Sequence, residues 1–133
     1  MIETRLKLLL RMLGGICVLA LIPLFAPRSW LDGGHQFLGL GKFPAEPIAE
    51  YLARSVSAMC AFYGGLLFLL ARDIGRYVNV IKYQAVAIMA LSVIGIFAGV
   101  RAGVPAYLVV GDAFGCWVFL LPILLLATRF KRE

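Results

Sequence analysis

Charge is what this sequence has least of. Aspartate and glutamate supply seven of its 133 residues, and the four charged residue types together make up 15%. Soluble domains carry about 25% charged residues and roughly 45–50% apolar ones, whereas this chain is 62% hydrophobic with a mean hydropathy of +0.94. A soluble fold of this size has too little interior to hide so much apolar surface, which excludes water as the solvent for most of the chain. Histidine occurs once, at His35. A bis-histidine haem site is therefore excluded, and a zinc site would have to be completed by carboxylates. The three cysteines, Cys17, Cys60 and Cys116, all fall inside apolar stretches. Their odd number and the lack of a Cys-x-x-Cys pair exclude a disulfide framework and a redox motif; each reads as a small buried hydrophobe. His-Glu-x-x-His and Gly-x-Ser-x-Gly are also missing, so no zinc-protease or serine-hydrolase signature is present. No cofactor is indicated, and the sequence states no reaction.

What is present is a set of apolar runs long enough for lipid. With about 20 residues per crossing, the chain accommodates four spans in one membrane domain. The expected fold is an all-α integral membrane protein, four transmembrane helices in an up-down bundle over residues 1–133. The spans are expected at about 8–30, 47–71, 83–100 and 106–128, with an outer loop over 31–46. Arg5, Lys7 and Arg11 precede the apolar run Met12–Ala26, an arrangement shared with secretory signals. The run ends in Leu24-Phe25-Ala26-Pro27 without the small residue expected three positions before a cleavage point, so it reads as a retained helix. Pro23 is expected to kink it, because proline removes the bond to the Leu19 carbonyl. Trp30 stands where an interfacial anchor belongs.

The loop is expected to hold an interfacial amphipathic helix. Asp32 of Asp32-Gly-Gly-His35 would cap its first turn, Phe37, Leu38 and Leu40 would lie on the membrane surface, and Gly39 or Gly41 would end it. Pro47 suits the first position of the second span, with Glu46 and Glu50 near its positive end. Residues 72–83 read as a polar turn, and Arg101-Ala-Gly-Val-Pro105 as a tight one. Small residues recur at helical spacing in three spans: Ala53, Ser57, Ala61 and Gly65 in the second, Gly95 and Gly99 in the third, Gly111 and Gly115 in the fourth. Such ladders let a second helix backbone approach closely.

The basic residues fall unevenly. Arg5, Lys7, Arg11, Arg72, Arg76, Lys82, Arg129, Lys131 and Arg132 belong to one side, and Arg28, Lys42, Arg54 and Arg101 to the other. The positive-inside rule then places both termini in the cytoplasm and the long loop outside, as in a bacterial inner membrane. The net charge of +6 is spread over segment ends and forms no nucleic-acid stripe. Arg72, Arg76 and Lys82 are read as contacts to anionic lipid headgroups.

Asp112 is the most informative single residue. It lies about 10 Å into its span at 1.5 Å per residue, where an ionisable group is costly and by default partnered or functional. Arg54, near the outer end of the second span, is its expected partner, since arginine and a carboxylate can pair in a fixed geometry. His35, Glu50, Ser57, Arg101 and Tyr107 would gather around them as an outer-leaflet pocket roofed by the loop.

The stretch Leu38–Met59, LGLGKFPAEPIAEYLARSVSAM, with His35 before it and Arg72-Asp73 after the second span, resembles a signature of small four-helix membrane proteins of environmental bacteria. It covers the middle of the chain. The general plan is also similar to DoxX-like proteins, though without a diagnostic motif of theirs. The resemblance implies architecture and no particular activity. Three functions fit these residues. The first is a structural or accessory subunit that packs against itself or other membrane proteins. The second is a small-solute or proton-coupled carrier using Arg54, Asp112 and His35. The third is a lipid- or quinone-binding protein with the loop as a lid.

Overall fold

A computed structural model of the chain describes residues 1–130. Lys131 and Arg132, counted in the charge asymmetry above, lie outside the described residues. Six helices follow one another: α1 (Ile2–Val18), α2 (Leu21–Phe25), α3 (Arg28–Phe37), α4 (Pro47–Leu70), α5 (Ile74–Arg101) and α6 (Ala106–Arg129). No strand occurs among the described residues. Four helical segments are long and apolar enough to cross a membrane: Ile2–Phe25, Pro47–Leu70, Ile74–Arg101 and Ala106–Arg129. The chain packs as two compact units, Met12–Phe68 and the combination of Met1–Arg11 with Leu69–Glu133.

In the unit Met12–Phe68, α1 gives way to α2 at Leu19 and Ala20. Pro23 has no N–H to offer the Leu19 carbonyl, and the Ile22 N–H takes that carbonyl instead at 3.0 Å. The kink expected from Pro23 is thus a break one turn before it. α1 and α4 touch through their backbones at Gly14 and Gly64: a Cβ added to Gly64 would lie 2.6 Å from the Gly14 carbonyl oxygen. The ladder expected on α4 is therefore displaced. Ala61, Gly64 and Leu67 are buried, whereas Gly65 faces open space. One residue along a helix is about 100° of rotation, so the two members of the Gly64-Gly65 doublet look in different directions.

α3 begins at Arg28, four residues before the expected cap, with Pro27 as its N-cap and no side-chain bond there. Asp32 is consequently inside the helix and does not cap it. It takes the Gln36 Nε2 and, across the loop, the Phe43 backbone N–H, both at 2.8 Å. The helix ends as expected at Gly39, which has φ +75°. Gly39 N–H donates to the Gln36 carbonyl and Leu40 N–H to that of His35, the paired closure that requires a left-handed residue after the last turn.

In the other unit, the start of α1 contributes the fully buried Leu6 and Leu10 one turn apart. α5 starts at Ile74, nine residues before the expected 83. Asp73 is its N-cap and accepts the Arg76 N–H at 2.9 Å. The stretch read as a polar turn carries apolar residues at Ile74, Val78, Ile81 and Ala85, which is helical spacing; Ile74, Ile81 and Ala85 are fully buried. The α5–α6 turn closes on Gly103, φ +85°, with Val104 N–H donating to the Gly99 carbonyl. Within the turn's reach, a Cβ on Gly99 would collide with the Val109 side chain. Trp117 Nε1 donates to Ser92 Oγ at 2.8 Å, and Ser92 Oγ to the Met89 carbonyl at 2.7 Å. That relay ties α6 to α5 and leaves no indole N–H unsatisfied in an apolar span.

Candidate functional site

Two polar features interrupt the apolar surfaces, one in each unit. The first is built on Arg54, two turns into α4. Its Nε and Nη2 both donate to Glu50 Oε1, at 3.0 and 2.7 Å. Nη1 donates to the Leu24 carbonyl at 2.6 Å and Nη2 to the Ala26 carbonyl at 3.0 Å. Leu24 and Ala26 stand where α2 ends, so their carbonyls lack helical donors, and a guanidinium from α4 supplies them. Arg28, at the start of α3, brings Nη1 within 3.6 Å of Glu50 Oε2 and donates Nη2 to the Pro44 carbonyl at 2.8 Å. One carboxylate thus serves two guanidiniums, and the trio fastens the α2–α3 corner and the loop to α4.

Four of the five N–H donors of a guanidinium are committed in Arg54. The acid it holds is Glu50, whereas Asp112 was the expected partner. The sequence pointed to a long-range pair because Asp112 was the isolated charge; the i, i+4 spacing of Glu50 and Arg54 satisfied the arginine locally. Arg28 and the two carbonyls were missed, since backbone acceptors released by a helix break leave no residue-type signal.

The other expected pocket residues distribute as follows. His35 lies on α3, with Nδ1 3.1 Å from the Gly41 carbonyl and its ring edge-on to Phe43, centroids 5.5 Å apart. It holds the loop's own turn. Ser57 Oγ donates to the Ala53 carbonyl in the preceding turn of α4 at 2.9 Å. Arg101 closes the last turn of α5 and is exposed, and Tyr107 opens α6. Arg54, Glu50, Ser57 and His35 therefore share the unit Met12–Phe68, while Asp112, Arg101 and Tyr107 belong to the other.

The second feature is a groove of about 430 Å³ between α5 and α6, lined by Leu91, Ser92 and Gly95 on one side and Leu108, Asp112 and Cys116 on the other. Asp112 is exposed in it and makes no hydrogen bond or ion pair among the described residues. Leu91 lines the groove, and Ile94, Phe97 and Phe114 are further exposed apolar side chains of α5 and α6. Gly95, Gly111 and Gly115 have open space where a Cβ would stand. Unlike Gly99, none of the three has a neighbour at that position among the described residues. At the ends of α5, Arg76 sits 5.7 Å from the centre of the Tyr77 ring, and Arg72 is exposed in the turn before the helix.

Among the described residues, no three of His, Cys, Asp and Glu gather in a way that could hold a metal ion. No disulfide links Cys17, Cys60 or Cys116. Comparison with protein-family models, with curated proteins and with solved structures found no match to this chain.

Proposed function

We propose that this chain is a structural or accessory subunit of the membrane that assembles, with further copies or with other membrane proteins, through the α5–α6 face. In this reading the four long helices cross the bilayer up and down. The basic excess places both termini in the cytoplasm, and α3 lies in the outer interface, fastened by Arg28, Asp32 and Arg54. The observation that carries the reading is Asp112: exposed, unpartnered among the described residues, and set in an apolar groove beside glycines with open Cβ positions. A carboxyl group in hydrocarbon needs a partner. Small residues around it let another helix come close enough to supply one.

The carrier reading would use Arg54 as a solute ligand. The guanidinium is spent on Glu50 and two carbonyls, which favours a latch over a binding group, so assembly is the stronger reading. The test is size in nanodiscs after extraction from the native membrane with a mild polymer. Wild type is expected as an oligomer or a stoichiometric complex, and Gly115→Leu and Asp112→Leu as smaller species. A wild-type monomer with no co-purifying protein would end the proposal.

A further inference from the structure

A second groove, about 420 Å³, runs between the beginning of α1 and the end of α6. Its α1 wall is Arg5, Leu8 and Leu9, and its α6 wall is Pro122, Leu125 and Leu126, with Arg129 one turn further on. Both sets follow helical spacing, i, i+3 and i+4, so each is one stripe of its helix. Arg5 ends the α1 wall and Arg129 the α6 wall of this otherwise apolar slot, so that both guanidiniums border it.

Three other basic groups are engaged, whereas among the described residues Arg5 and Arg129, like Arg11, Arg72 and Arg101, are not; the slot they share is what sets these two apart. Lys7 is paired with Glu3 at 2.5 Å, Arg54 is committed as described, and Arg28 holds Glu50 and Pro44. Neither Arg5 nor Arg129 has a side-chain acceptor among the described residues. Two unpaired guanidiniums over a leucine-lined slot match an amphiphile with an anionic head. A soluble anion would leave the slot unfilled, and a zwitterionic lipid would add a cation where two already stand.

We infer that this groove is a binding site for an anionic diacyl phospholipid. Its phosphate lies between Arg5 and Arg129, which can grip it through paired N–H donors, and one acyl chain lies along Leu8 and Leu125. The site is separate from the α5–α6 assembly face and does not depend on it. If the basic side is cytoplasmic, as charge counting expects, the mouth opens to the leaflet richer in anionic lipid.

The test is native mass spectrometry of the full chain released from nanodiscs, with dioleoyl phosphatidylglycerol, dioleoyl phosphatidylcholine or inorganic phosphate as the probe. Wild type is expected to retain one phosphatidylglycerol and to show no comparable binding of the other two. Arg5→Gln with Arg129→Gln should weaken retention roughly 30-fold, from the attraction of two surface cations. Leu125→Trp fills the slot while keeping both charges and should weaken it about tenfold, through the loss of roughly ten carbon contacts between slot and acyl chain. Arg5→Lys with Arg129→Lys keeps the charge for insertion and loses the planar grip, so it should weaken retention several-fold even if the glutamine pair fails to insert. Equal binding of phosphatidylcholine or inorganic phosphate by wild type would overturn the site. So would retention unchanged by Leu125→Trp, or an equal loss from Arg72→Gln with Arg76→Gln, which would reduce the effect to diffuse surface charge.

Discussion

Gly64 offers the sharpest test of the packing, because its neighbour Gly65 is the same residue in a different environment. Replacing Gly64 with alanine puts a methyl group 2.6 Å from the Gly14 carbonyl oxygen and 2.9 Å from the Val18 nitrogen and Cγ2. Two of those atoms are backbone and cannot rotate away. Restoring ordinary van der Waals contact, 3.4 Å or more, parts the two backbones by about 0.8 Å. A gap of that size forfeits a quarter to a half of the dispersion attraction of each contact it opens. In lipid this matters more than in water, since helix association there rests on packing without a hydrophobic term. Overpacking of this kind costs about 1–3 kcal/mol, against up to about 1 kcal/mol returned by alanine's helix propensity. The net expectation is a destabilisation of about 1–2 kcal/mol. Gly65→Ala meets nothing within 4 Å and should keep the propensity gain, so it should be neutral or slightly stabilising. Unfolding by denaturing detergent, followed by circular dichroism, measures both. Equal stability of the two variants, or a loss at Gly65 with none at Gly64, would refute the α1–α4 contact.

Arg54→Met strands two helix-end carbonyls and leaves Glu50 with only the distant Arg28. At about 1.5–3 kcal/mol for hydrogen bonds to a charged group, reduced by the partial exposure of the pair, the cost should be about 2 kcal/mol. Adding Glu50→Gln should recover part of it in a double-mutant cycle, whereas strict additivity would mean the two side chains do not interact. Gln84 is buried at 8% exposure with neither amide atom hydrogen-bonded. Gln84→Met, near-isosteric and apolar, should therefore raise stability by about 1 kcal/mol or more in the same assay; a loss would show that the amide has a partner.

The sequence carried the number of long apolar helices and most of their limits. Pro47 began α4 and Gly39 ended α3 where turn chemistry demands. The misplacements have local causes. α5 was begun too late because Arg76, Asn79 and Lys82 obscured the spacing of Ile74, Val78, Ile81 and Ala85. Asp32 was assigned to a cap because an acid before two glycines suits one, and its reach to the Phe43 N–H is a contact across eleven residues. The choice between Gly64 and Gly65 turns on a rotation that composition does not encode. The candidate site was legible as residue types, Arg54, Glu50, His35 and Asp112, and much less so as partners.

Arg54 and Asp112, the two ionisable residues singled out at the start, have opposite situations, and that contrast says more than either residue alone. Arg54 has its donors filled by a carboxylate and by carbonyls that a helix break releases, so removing solvent from it has already been compensated within the chain. Asp112 has no such compensation among the described residues, and the glycines around it provide room instead of contact. A group left open to hydrocarbon at that depth is unfavourable by several kcal/mol unless something covers it. Selection for solubility in lipid alone would have put an apolar residue there, as at Leu91 in the same groove. The polar account of this chain is therefore closed at Arg54 and open at Asp112 among the described residues, and the proposed partner against α5 and α6 would close it.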